Sequence, residues 1–212
     1  MLAMVRDLPV MSAGDTVGIL ARCHKNALEP IFSVVLARFV REVKTPGNPS
    51  FSGSYLSPHT YVMNWLLRVI KHMPEGVVPL LREARAAAER EGDHELAKWL
   101  IMALGYCGDG GVEDTLRDFV LHEPDRYVRC LAIRPYGRVA GVKALPVLRP
   151  LLEDTTETEY HTDFPPARRI IYCAARAALM EILREVYGDM DISHENFDAL
   201  LDAVERGETP PK

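Results

Sequence analysis

The sequence predicts an all-α protein, an α-solenoid of antiparallel helix pairs. Three observations carry this. From His59 onward apolar residues recur at three- and four-residue spacing, while the alternation expected of strands is nearly absent. The chain also repeats itself in blocks of 32 residues: VMNWLLRVIKHMPEGVVPLLREARAAAEREGD, HELAKWLIMALGYCGDGGVEDTLRDFVLHEPD and RYVRCLAIRPYGRVAGVKALPVLRPLLEDTTE. The residues between blocks are those that start and stop helices. Asp93 aligns with Asp125 as N-cap of a first helix, and Gly105 with Gly137 where that helix is expected to end on a left-handed glycine.

The elements follow in order. A helix over 27–44 starts from Asn26, with Glu29 three residues on as in a capping box, and its apolar stripe includes Ile31, Val35, Phe39 and Val43. The stretch TPGNPSFSGSYLSP (45–58) holds three prolines and two glycines and is a loop, with Phe51 and Tyr55 as aromatic anchors against the body. Helices are then expected at 59–73, 77–91, 94–105, 111–122, 126–138, 142–153, 165–187 and 194–206. The organisation is an N-terminal helical segment and loop (1–58), the repeats (59–190), and a C-terminal helix and tail (191–212). Pro135 should kink its helix, and Pro146 and Pro150 the next one.

The stretch LGYCGDGGVEDTL (104–116) packs four glycines into seven residues. A phosphate-cradling loop needs a strand before it and a Lys-Ser/Thr or acidic partner after it. Neither is present, and the same turn recurs 32 residues later with fewer glycines. It reads as a turn between helices.

Composition limits the function classes. With 48% hydrophobic and 26% charged residues this is an ordinary soluble composition, and no apolar run approaches the ~20 residues of a membrane span. The four cysteines are scattered without a C-x-x-C pair, as expected of a reducing, cytoplasmic setting. Residues 1–74 carry eight Lys/Arg against four Asp/Glu, and the remainder seventeen against twenty-six. A net charge of −5 argues against nucleic acid, whose binding rests on cationic neutralisation of phosphates.

The stretch DRYVRCLAIRPYGRV (125–139), with its D-x-x-V-R-x-x-A pattern, and ALPVLRPLLED (144–154) resemble the HEAT-repeat family, and more narrowly the short repeats shared with phycobilin lyases. The resemblance covers about residues 60–190 and implies an α-solenoid with Asp125 and Arg129 in a structural turn ladder. It implies a non-catalytic scaffold that binds another protein, or alternatively a bilin-lyase-like enzyme or carrier of a small ligand.

Candidate binding residues are three arginines at matching positions, Arg82, Arg117 and Arg149, a cationic row suited to carboxylates unless each pairs with acids of its own surface. The insertion EDTTETEYHTDFPP (153–166) adds acidic residues beside Tyr160 and His161, which suits a basic protein partner. His94-Glu95 is similar to one of the His-Glu pairs with which deoxyhypusine hydroxylases hold two irons. One pair cannot supply a di-metal site, so no cofactor is expected. A resemblance to alkylpurine glycosylases would require a basic face with tryptophans, whereas Trp65 and Trp99 sit in apolar runs and read as core. No nucleophile motif is present, and the chain is read as leaning away from an enzyme.

Overall fold

The computed structural model describes Leu36, Ala37, Val40 and residues 74–154, 170–188 and 190–208. The cap at Asn26, the 45–58 loop with Phe51 and Tyr55, the helix at 59–73, and Tyr160 and His161 of the insertion lie outside the described residues. Regular structure among the described residues is helical throughout, without a strand. The elements are α1 (Pro74–Glu91), α2 (His94–Tyr106), α3 (Glu113–His122), α4 (Arg126–Ala140), α5 (Leu145–Leu148), α6 (Ile170–Tyr187) and α7 (Phe197–Glu205). Short 3-10 segments precede α3 (Gly110–Val112) and flank α5 (Gly141–Ala144 and Arg149–Glu153). The chain divides into two compact units, Met1–Cys107 and Gly108–Lys212.

In the first unit α1 and α2 form a tight hairpin. Gly92 takes φ 71°, and the Asp93 N–H returns to the Ala88 carbonyl at 2.9 Å, which closes α1 with a left-handed cap. Asp93 then starts α2: its Oδ1 accepts from the Leu96 N–H at 3.0 Å. One residue thus ends one helix and opens the next. α1 buries Val77, Leu81 and Ala88 along one face. From Leu96 to Gly105 only Lys98 of α2 escapes burial, as suits a helix that is apolar nearly all round.

In the second unit α3 and α4 pair through a three-residue link. The Asp125 side chain accepts from the Val128 N–H at 3.3 Å, repeating the Asp93 cap 32 residues on. α3 buries Val112 just before it, then Leu116 and Val120; α4 buries Val128, Ala132, Ile133 and Tyr136 against it and against α6. The segment 141–153 packs on α4 and α6. α6 contributes Ile171, Ala175, Ala178, Leu179, Ile182 and Leu183 to this core. α7 adds Phe197, Leu201 and Val204, and Arg176 of α6 stacks over the Phe197 ring at 4.8 Å.

Three expectations change. Gly105 and Gly137 do not end their helices: α2 continues to Tyr106 and α4 to Ala140, and the positive φ angles belong to Gly108 (77°) and Gly141 (54°). The apolar pattern carries both helices past the first glycine, and the cap falls at the next one. The turn ladder uses Arg126 in place of Arg129. Arg126 Nη2 donates to both oxygens of Asp154 at 2.8 and 2.9 Å, joining the start of α4 to the end of the next segment, while Arg129 Nε is buried without a hydrogen-bond partner. The helix expected at 142–153 is a chain of 3-10, α and 3-10 turns. Pro146 and Pro150 each sit in the first two positions of a new segment, where a missing N–H costs nothing. Pro135, by contrast, is buried within α4, which runs on past it.

Candidate functional site: a charged cleft between α4 and α6

α4 and α6 pack tightly at Gly137. A Cβ there would lie 3.1 Å from the Ala178 Cβ, 3.4 Å from Leu148 Cδ1 and 3.7 Å from Ile182 Cδ1. Glycine is therefore a packing residue at this point. The Ala178 methyl is fixed to the backbone of α6 and has no rotamer by which to withdraw.

Beside this contact lies an open cleft of about 260 Å³, lined by Gly137 and Arg138 of α4 and by Glu181, Ile182, Arg184 and Glu185 of α6. Its floor is buried, and its rim is charged. Arg134, one turn before Arg138, is ion-paired with Glu181. Arg138 and Arg184 are exposed, stand in the last turns of their helices, and have no carboxylate within ion-pair distance among the described residues. Cations at helix C-termini complement the helix dipole, which accounts for their tolerance as bare charges.

The three arginines expected to form a row each have their own surroundings. Arg149 reaches α7, where its guanidinium binds Asp202 and Glu205, and the Asp202 hydrogen bond raises its already high pKa. Its carboxylate partners therefore come from a helix more than fifty residues away. Arg117 is exposed on α3 and acts on the buried Tyr136: burial raises the phenol pKa, Arg117 opposes that, and Glu113 and Asp114 add to it. Arg82 is exposed on α1 of the first unit.

The other candidates divide between core and surface. Trp99 is 2% exposed, and its indole N–H donates to Glu95 Oε1 at 2.8 Å, so the acid of the His94-Glu95 pair is tied to the tryptophan, while His94 is exposed. No group of three or more His, Cys, Asp or Glu among the described residues is placed to hold a metal ion. The Cys130 thiol is pushed up to about 11, chiefly by burial and further by the Cys173 thiol beside it. It is a half-buried thiol that stays protonated at neutral pH. No helix among the described residues is long and apolar enough to cross a membrane.

Arg138, Arg184, Glu185 and the Arg126–Asp154 pair were not singled out from the sequence. Two basic residues four apart (Arg134, Arg138) near a helix end were the available signal. The insertion after Asp154 breaks the 32-residue frame, so no alignment pairs α4 with α6.

Comparison with known proteins agrees with the fold. Residues 81–161 match the family model for HEAT repeats. Neither curated proteins nor solved structures give a significant match. The helical hairpins capped at a 32-residue interval fall within or beside this match, so the stretch 81–161 is similar to HEAT repeats in both sequence and fold.

Proposed function

We propose that the chain is a non-catalytic interaction module that holds another protein on the surface of its helical repeats. The observation that carries this reading is the HEAT-repeat match, because such repeats as a class mediate protein–protein contacts. The open charged cleft between α4 and α6 supports it: two arginines without a carboxylate partner among the described residues, beside a small buried floor, suit side-chain recognition. The excess of acid over base after residue 74 steers a partner with a basic surface toward the chain before contact. A reducing, cytoplasmic setting fits the scattered cysteines.

The test is native mass spectrometry of protein purified gently from its host, followed by reconstitution from purified components. A co-purified chain that rebinds the purified protein at a defined stoichiometry supports the module. A retained pigment, metal or other small molecule in place of a protein overturns it in favour of a ligand carrier of the bilin-lyase type.

A further inference from the structure

We infer that the α4–α6 cleft is the docking point for an acidic helical turn of a partner protein, in which two carboxylates three residues apart engage Arg138 and Arg184. This rests on the interaction-module reading and names the chemistry of one local contact, an acidic turn on a partner whose surface is otherwise basic. The argument has three parts.

The first is geometric. Gly137 and Ile182 floor a recess of about 260 Å³, on the order of one or two side chains, and Arg138 and Arg184 line it from opposite helices. The second is electrostatic. Glu181 is already taken by Arg134, and Arg138 and Arg184 lack any carboxylate within ion-pair distance among the described residues. Two guanidiniums at one opening repel each other, and a pair of carboxylates removes that repulsion while offering each a charge-assisted hydrogen bond. The third is a precedent within the molecule. Arg149 holds Asp202 and Glu205, which are three residues apart on one face of α7. That contact shows, in cis, that two carboxylates three residues apart on one helix face are a ligand this chain's guanidinium groups accept.

Glu185 also lines the cleft and opposes an acidic ligand. It weakens binding and so supplies a second handle on the proposal, since removing its charge must strengthen the complex.

The experiment uses the full chain and a fluorescent stapled helical peptide carrying Asp-x-x-Glu, with an Asn-x-x-Gln peptide as its control, read by anisotropy. The expected results are saturable binding of the acidic peptide, about tenfold weaker binding to the amide peptide, and a comparable loss in Arg138→Glu/Arg184→Glu. Glu185→Gln should tighten binding severalfold, and Arg206→Glu just past α7 should leave it unchanged. All four substitutions are at exposed positions, and unchanged circular dichroism checks their folding. If the double reversal fails to fold, Arg138→Gln/Arg184→Gln takes its place. Absence of saturable binding, equal loss in Arg206→Glu, or insensitivity to the Arg138 and Arg184 changes overturns the assignment. A purified partner that binds the double variant as well as the parent overturns the cleft while leaving the interaction module standing.

Discussion

The two second helices of the repeats, α3 and the 141–153 segment, occupy matching positions but are built differently. α3 is a regular ten-residue helix led in by one 3-10 turn, whose Asp109 caps the Gly111 N–H. The 141–153 segment breaks into three short pieces, each passing to the next without a side-chain cap. Their burial is nonetheless alike. Val112 and Leu116 in one correspond to Ala144 and Leu148 in the other, all at 0–1% exposure. The match fails at the first helical position, where Glu113 is half-buried and Leu145 is fully buried, and at the last step, where Val120 is buried and Leu152 is partly exposed, after the tighter 3-10 turns have rotated the face. The apolar period therefore sets where the chain packs, and proline sets only which hydrogen bonds form along the way.

The sharpest way to break this equivalence is to empty both core positions. Leu116→Ala and Leu148→Ala should each cost about 3 kcal/mol in urea unfolding, because both side chains are fully buried. A Leu148 variant that loses less than half of what its counterpart loses would show that the broken segment packs loosely. Next in size is the anchor just past the 141–153 segment. Asp154→Asn weakens the paired bonds to Arg126, whose Nε is already unpaired, and should cost about 2 kcal/mol. At the matching lead-in of α3, Asp109→Ala removes a cap and should cost about 1 kcal/mol. Smallest is Pro146→Ala with Pro150→Ala. The gain in helical hydrogen bonding and the loss of unfolded-chain restriction nearly cancel, within about 1 kcal/mol, while far-UV circular dichroism should show more helix. No change in ellipticity would mean that tertiary packing, and not proline, divides the segment.

A pH titration bears on the α4–α6 pair beneath both. The Cys130 thiol lies at about 11 when folded against 9.0 unperturbed, so the folded chain holds this proton longer than the unfolded chain does. Its contribution to stability is complete below about pH 9 and is lost as pH rises toward 11. Tyr136 shifts in the same direction, so Cys130→Ala should flatten the alkaline limb without abolishing it. Alkylation at pH 8 should modify the exposed Cys173 well before Cys130.

The fold was legible because its determinants are local. Asp93 and Asp125 could be read as caps from their place before an apolar run, and both are. The glycine-rich 104–116 stretch could be read as a turn because nothing around it could bind phosphate; Gly108 takes a positive φ there and Asp109 caps the 3-10 turn. Gly137 was misread for an instructive reason. A glycine near a helix end satisfies the sequence pattern of a cap, but only the approach of Ala178, 41 positions away, reveals what its missing side chain is for. The rim of the cleft was hidden in the same way. Arg138 and Arg184 belong to helices separated by an insertion, and no one-dimensional spacing brings them to one opening. Arg149 had the right chemistry, a carboxylate grip, but its acids lie on α7.

The missing Cβ at Gly137 also divides the cleft into a part that cannot vary and a part that can. Any replacement adds atoms against the Ala178 methyl, which is fixed to its backbone, so the floor is held to its residue by the fold itself. The charges above it make few or no contacts that the core depends on. A descendant of this chain could exchange arginine for glutamate along that rim, and so change its clientele, with the architecture beneath left as it is.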